Sequence, residues 1–143
     1  MSFKHQLITG NHFSDDRGAM SFINDFSLKP IVRFYEIKPK YTTIIRAWQA
    51  HKKECKWFYC TQGVFKINIV KIDSFENPSK DLKIHSFELN ADVPQVLFLP
   101  GGYANGFKAQ SKDAKLMVFS DFDLESSKLD DFRFDINTWK NKW

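Results

Sequence analysis

The chain has 143 residues, 43% hydrophobic and 27% charged, which fits one globular domain with its own core and excludes a disordered or fibrous segment. Fifteen Phe and four Trp mean that rings build much of the core or of a binding face. A net charge of +4 suits an anionic ligand, but the lysines are scattered and no nucleic-acid-binding motif is present, so nucleic acid is not expected as a partner.

Cys55 and Cys60 are the only cysteines, and their number and spacing fit neither a disulfide framework nor a zinc site. A reducing cytoplasm is the expected compartment. The first residues lack the apolar run of a signal peptide, and no stretch approaches the roughly 18 apolar residues that cross a bilayer, so no membrane partner is expected.

In chain order, residues 3–9 read as a first strand closed by Gly10 and Asn11. Residues 13–18 read as a polar turn whose Gly18 can take positive φ, and residues 19–23 as a second strand with Arg17 just before it. After a loop, residues 31–37 form a β-rich run ended by Pro39, which has no N–H to give a ladder. Residues 43–56 then place one histidine, one arginine, one glutamine and three lysines on one strand and the turn after it, a density of polar groups that marks a candidate site. Residues 57–70 read as a hairpin around Gln62 and Gly63, with β-branched and aromatic residues on both arms.

Residues 73–81 are the long polar loop, residues 82–89 and 96–99 are further strands, and the second of these stops at Pro100-Gly101-Gly102. A glycine-flanked segment at 103–108 and a strand at 114–119 precede a tail, residues 126–143, that is irregular or carries one short helix. No segment holds a sustained helical period. Many short strands separated by Gly and Pro turns predict an all-β antiparallel sandwich or barrel.

Several of these pieces resemble one family. Phe13-x-Asp15-x-Arg17-Gly18, then Arg46 with His51 five residues on and Lys56 beyond, then Leu99-Pro100-x-Gly102-Tyr103-Ala104-Asn105-Gly106-Phe107 are similar in order and spacing to the dTDP-4-dehydrorhamnose 3,5-epimerases. The run Arg46-Ala47-Trp48-Gln49-Ala50-His51-Lys52 also resembles the signature of the related dTDP-sugar 3,4-ketoisomerases. The resemblance implies a single cupin-type jelly-roll barrel over residues 1–143 with a short C-terminal segment, a homodimer, and a nucleotide-linked 4-keto-6-deoxy sugar as substrate in glycan or surface-polysaccharide synthesis. It implies no metal and no cofactor. Three positions depart from the pattern: Gln49 and Asn105 stand where the epimerases carry histidine, and Phe22 stands where an acidic residue is usual.

A 4-keto sugar acidifies the hydrogens on C3 and C5, so one base and one donor to the enolate oxygen suffice. With Gln49 and Asn105 unable to take up a proton, His51 is the expected base, and Gln49 shares its face of a regular strand. Lys56 is expected to stabilise the oxyanion, and Tyr103 or Tyr35 to return the proton. Arg17 and Arg46 suit the diphosphate, Phe13 the nucleotide base, and Asn105 the substrate at the second departed position. Arg46 and His51 have opposite strand parity, so one pocket holds both only across a bulge or between subunits. Two function classes follow: an epimerase or ketoisomerase, or a catalytically silent cupin that binds a sugar nucleotide or serves in assembly.

Overall fold

A computed structural model describes residues 3–140 and 143. Its strands are, in order, β1 (Gln6–Thr9), β2 (Asn11–Asp15), β3 (Gly18–Phe22), β4 (Arg33–Ile37), β5 (Ile45–His51), β6 (Lys56–Gln62), β7 (Val64–Lys71), β8 (Ile84–Asn90), β9 (Gln95–Leu99), β10 (Tyr103–Ala109), β11 (Lys115–Ser120) and β12 (Phe132–Arg133), with helix α1 (Leu124–Lys128) before the last. They form two five-stranded sheets, ordered β1-β9-β6-β11-β4 and β12-β5-β10-β7-β8, and a separate β2-β3 hairpin. Pairing is antiparallel throughout these ladders, which gives the expected all-β jelly roll. No helix among the described residues is long and apolar enough to cross a membrane.

Period-two alternation sorts each strand. From the first sheet Phe58, Cys60, Leu97, Leu99, Leu116 and Val118 point inward, and from the second Phe65, Ile67, Ile69, Tyr103 and Phe107 meet them in the main core. The outer face of the second sheet is covered by the tail: Trp48, Ala50, Val70 and Ala104 lie beneath Trp139, with Phe132, Phe134 and Trp143 around them. Trp48 and Trp139 meet edge to face at 5.3 Å, and each indole N–H has a carbonyl, Trp48 that of Ile136 and Trp139 that of Ser79. The outer face of the first sheet carries Trp57, Val96 and Phe98 under Ile8, Ile23, Phe26 and Ile31.

Four sequence expectations change. Residues 57–70 are not a hairpin: β6 pairs with β9 and β11, whereas β7 pairs with β8 and β10, so Gly63 carries the chain from one sheet to the other. Both arms have the composition of strands, and composition does not specify the partner. Residues 11–15 form a strand rather than leading into a turn; all five are exposed, so no apolar alternation announced it. Residues 103–109 are a central strand between β5 and β7, and the tail supplies both α1 and β12.

Gly63 has φ 70°, and a Cβ there would overlap Ser111 Oγ, which accepts the Val64 N–H at 2.9 Å. Gly63→Ala is therefore expected to lower stability by about 1–2 kcal/mol, seen as a lower urea midpoint with unchanged slope.

Candidate active site

Register builds the site. In the first sheet Ser120 pairs with Arg33 on one side and Lys56 on the other, so one inward row reads Arg33, Ser120, Lys56. The next row reads Tyr35, Val118, Phe58. In the second sheet Gln49 pairs with Asn105, and Phe107 pairs with Arg46. Three steps along β5 therefore match two along β10, and the extra residue on β5 turns Arg46 to the same face as Gln49 and His51. The bulge answers the parity problem within a single chain.

These rows enclose a cavity of about 300 Å³. Its walls include Arg33, Tyr35 and Lys56 from one sheet and Arg46, Gln49, His51 and Asn105 from the other, while α1, β12 and the turn between them contribute Lys128, Arg133 and Asp131 at the side. Five cationic side chains against one lining carboxylate favour an anionic ligand. Arg46 lies over the Phe107 ring at 5.8 Å and has no carboxylate partner among the described residues. Gln49 and Asn105 hold each other loosely, with the Gln49 amide donating to Asn105 Oδ1 at 3.4 Å.

His51 is buried, and its Nδ1 lies 2.6 Å from the Asp130 backbone carbonyl. A carbonyl only accepts, so the proton sits on Nδ1 and the Nε2 lone pair is left free; Nε2 has no hydrogen-bond partner among the described residues. Burial and then the Lys56 ammonium pull the imidazole below its ordinary 6.5, outweighing Glu54 and Asp130, so the ring is neutral at pH 7. Across the cavity Lys56 Nζ donates to the Tyr35 hydroxyl at 3.0 Å.

Several site residues carried no sequence signal. Glu54 is fully buried and accepts from Ser120 and Ser127, each at 2.6 Å, and from Arg33 at 3.3 Å. The Asp130 carboxylate caps the turn after β5, taking the backbone N–H of Lys52, Lys53 and Glu54 at 2.8–2.9 Å. Acidic residues in a lysine-rich turn and a polar tail look solvated in one dimension.

Other expected site residues lie elsewhere. Tyr103 is the cross-strand partner of His51, but its ring packs in the core and its hydroxyl meets His5 Nδ1 at 3.2 Å, so it does not line the cavity. Phe13 and Arg17 sit on the β2-β3 hairpin, away from the cavity, where Arg17 pairs with Asp15 at 2.6 Å. Among the described residues no group of three His, Cys, Asp or Glu side chains converges on a metal-sized point.

No family model matches the chain. It is 23% identical over 111 residues, 73% of its length and 69% of the relative's, to a probable low-salt glycan biosynthesis epimerase of Haloferax volcanii. A 3,4-ketoisomerase double mutant from Thermoanaerobacterium thermosaccharolyticum, solved with TDP, superposes with a TM-score of 0.68 at 26% identity over 94% of this chain and 90% of that one. A dTDP-4-dehydrorhamnose 3,5-epimerase from Elizabethkingia anophelis superposes with a TM-score of 0.75 at 20% identity over 97% and 80%. The chain has the fold of the dTDP-sugar epimerases and 3,4-ketoisomerases. In this cupin jelly roll the cavity lies between the two sheets, and the short C-terminal segment closes one side of it.

Proposed function

We propose that the chain isomerises a nucleotide-linked 4-keto-6-deoxy sugar, with dTDP as the nucleotide, by moving a proton on a carbon next to the carbonyl, in glycan or surface-polysaccharide synthesis. The observation that carries the reading is His51, a buried neutral imidazole whose Nδ1–H is tied down and whose Nε2 is unpartnered on a cavity wall. Nε2 takes the C–H proton, the electron pair moves into the carbonyl as an enolate, and the Lys56 ammonium donates to the enolate oxygen. Arg46 and the cations at the cavity side hold the diphosphate, where guanidinium groups pair with two oxygens at once. Gln49 and Asn105 offer amide donors to the sugar hydroxyls.

His51 stands on one sheet and the Tyr35–Lys56 pair on the other, so a ring between them has its base on one face and its donor on the opposite one. That arrangement favours epimerisation: Lys56 holds the enolate oxygen while the Tyr35 hydroxyl returns a proton to the carbon from the face opposite His51, the role also considered for Tyr103, and is recharged by Lys56. Keto migration from C4 to C3 is the second reading, supported by the Arg46 to His51 run, and uses His51 twice on one face. Incubation with dTDP-4-keto-6-deoxyglucose in deuterated water tests the reading by NMR. Deuterium at C3 or C5 with inverted configuration is the epimerase outcome, and a 3-keto product is the ketoisomerase outcome. Tight dTDP binding with no exchange on any 4-keto sugar assigns the chain instead to the silent, binding class.

The same proposal includes a homodimer in the cytoplasm, a compartment suited to two buried cysteine thiols that form no disulfide. The β2-β3 hairpin stands outside both sheets with Phe13 and Met20 56% and 62% exposed, and a lone hairpin is marginally stable in water. Packing against a second copy would cover it and bring Phe13 and Arg17 to the partner's cavity. Sedimentation is expected to find a dimer, and Arg17→Ala to weaken dTDP binding about tenfold. A monomer that binds dTDP equally well with and without Arg17 would refute the arrangement.

A further inference from the structure

Glu54 lies at the point where the cavity's charged groups meet. Its side chain is shut off from solvent, and Oε1 and Oε2 are each fixed by a serine hydroxyl at 2.6 Å, Ser127 on α1 and Ser120 on β11. Around that fixed carboxylate stand Arg33 at 3.3 Å, His51 Nδ1 at 3.5 Å and Lys56 Nζ at 3.9 Å. The three come from β4, β5 and β6, on both sheets, and all three line the cavity. Arg33 is held on its far side by the Phe122 carbonyl at 2.9 Å, so the carboxylate meets a guanidinium already fixed in place.

We propose that Glu54 is a positioning residue that links the base His51, the oxyanion donor Lys56 and Arg33 into one charge-balanced unit. The inference rests on the proton-transfer reading above and deepens it. When Nε2 takes the substrate proton the ring becomes an imidazolium beside the Lys56 ammonium, and the carboxylates next to it that favour this are Glu54 and Asp130. Asp130 commits its carboxylate to three backbone N–H groups, which leaves Glu54 to offset the new positive charge. The same carboxylate keeps Lys56 and Arg33 from repelling each other across the Ser120 row. A structural carboxylate needs only its hydrogen bonds; a positioning one also sets the proton affinity of His51.

Glu54→Gln separates these two roles, because the amide keeps the shape and most of the hydrogen bonds but removes the charge. The His51 ring signals, followed by NMR against pH, are expected to titrate about one unit or more lower in Glu54→Gln than in the wild type. Exchange of dTDP-4-keto-6-deoxyglucose is expected to fall about 100-fold in kcat with little change in KM, and Glu54→Asp to recover part of it. An unmoved His51 titration, or a variant that loses thermal stability alone with full turnover, would overturn the proposal. If Glu54→Gln does not fold, Ser127→Ala strips the hydroxyl from Oε1 and leaves the charge. His51 should then titrate higher, and no shift counts against Glu54. A wild type that exchanges no deuterium would sink the functional reading, while the His51 titration would still decide whether Glu54 controls the imidazole.

Discussion

His51→Asn is expected to lower deuterium exchange into dTDP-4-keto-6-deoxyglucose by about 10²–10⁴-fold, the usual contribution of a general base, while dTDP affinity is unchanged. Asparagine is small enough for the site, and its amide can still donate to the Asp130 carbonyl that now takes the Nδ1–H. What it lacks is a lone pair of useful basicity. NMR of the sugar protons measures the exchange and calorimetry the dTDP affinity; exchange within tenfold of the wild type would remove His51 from the mechanism. The wild-type rate carries a second signature. Because burial and Lys56 hold His51 below 6.5, the base stays neutral on the acid side of that value, and kcat/KM should begin to fall only at lower pH. Stability follows the same sign: the unfolded chain takes the proton more readily, so the contribution of the neutral ring is complete above 6.5 and is lost as pH falls through the folded value. His51→Asn should flatten that part of the stability profile.

Asp130→Ala is expected to act on stability and activity together. It strips the acceptor from three backbone N–H groups in the turn after β5, of which that of Glu54 is buried. Allowing for water at the two more exposed groups, the loss is about 3 kcal/mol. In a chain of this length that lowers the melting temperature by roughly 10 °C. The Asp130 carbonyl remains, but the turn and the tail no longer hold each other, so the His51 ring loses its fixed tautomer and turnover falls as well. Burial raises the Asp130 pKa, yet the N–H groups of Glu54, Lys53 and Lys52 and the nearby His51 outweigh it and hold the carboxyl below its ordinary 3.8. The stability it contributes is therefore present above 3.8 and lost as pH falls through the lowered value, a slope that Asp130→Ala should abolish in acid titrations followed by circular dichroism. An unchanged melting temperature would show that the turn does not depend on this carboxylate.

Particular residues show how far the chain could be read in one dimension. His51, Lys56 and Arg46 stood out because they sit in a spaced motif, and Gln49 and Asn105 because they stand where that motif usually has histidine; all five line the cavity. Tyr103 was misleading because a tyrosine beside glycines looks accessible, whereas cross-strand neighbours put its hydroxyl against His5. The hairpin expected at Gln62 and Gly63 failed for a similar reason: a positive-φ glycine between two β-rich runs signals a reversal but does not say which strand comes to lie alongside. Glu54 and Asp130 were illegible because a carboxylate is identified as buried by what covers it, and Ser120, Ser127 and Arg33 are separated from it by 21 to 73 residues.

By itself the sequence determined the all-β class, most strand positions, the aromatic core and the polar stretch that carries His51, since these depend on local alternation and on residue chemistry. Tertiary structure alone decided which strands pair, that a bulge in β5 turns Arg46 toward His51, and that Arg33, His51 and Lys56 share one buried carboxylate. Pairing and burial arise from contacts between residues far apart in the chain, and a local pattern cannot encode the partner it will meet.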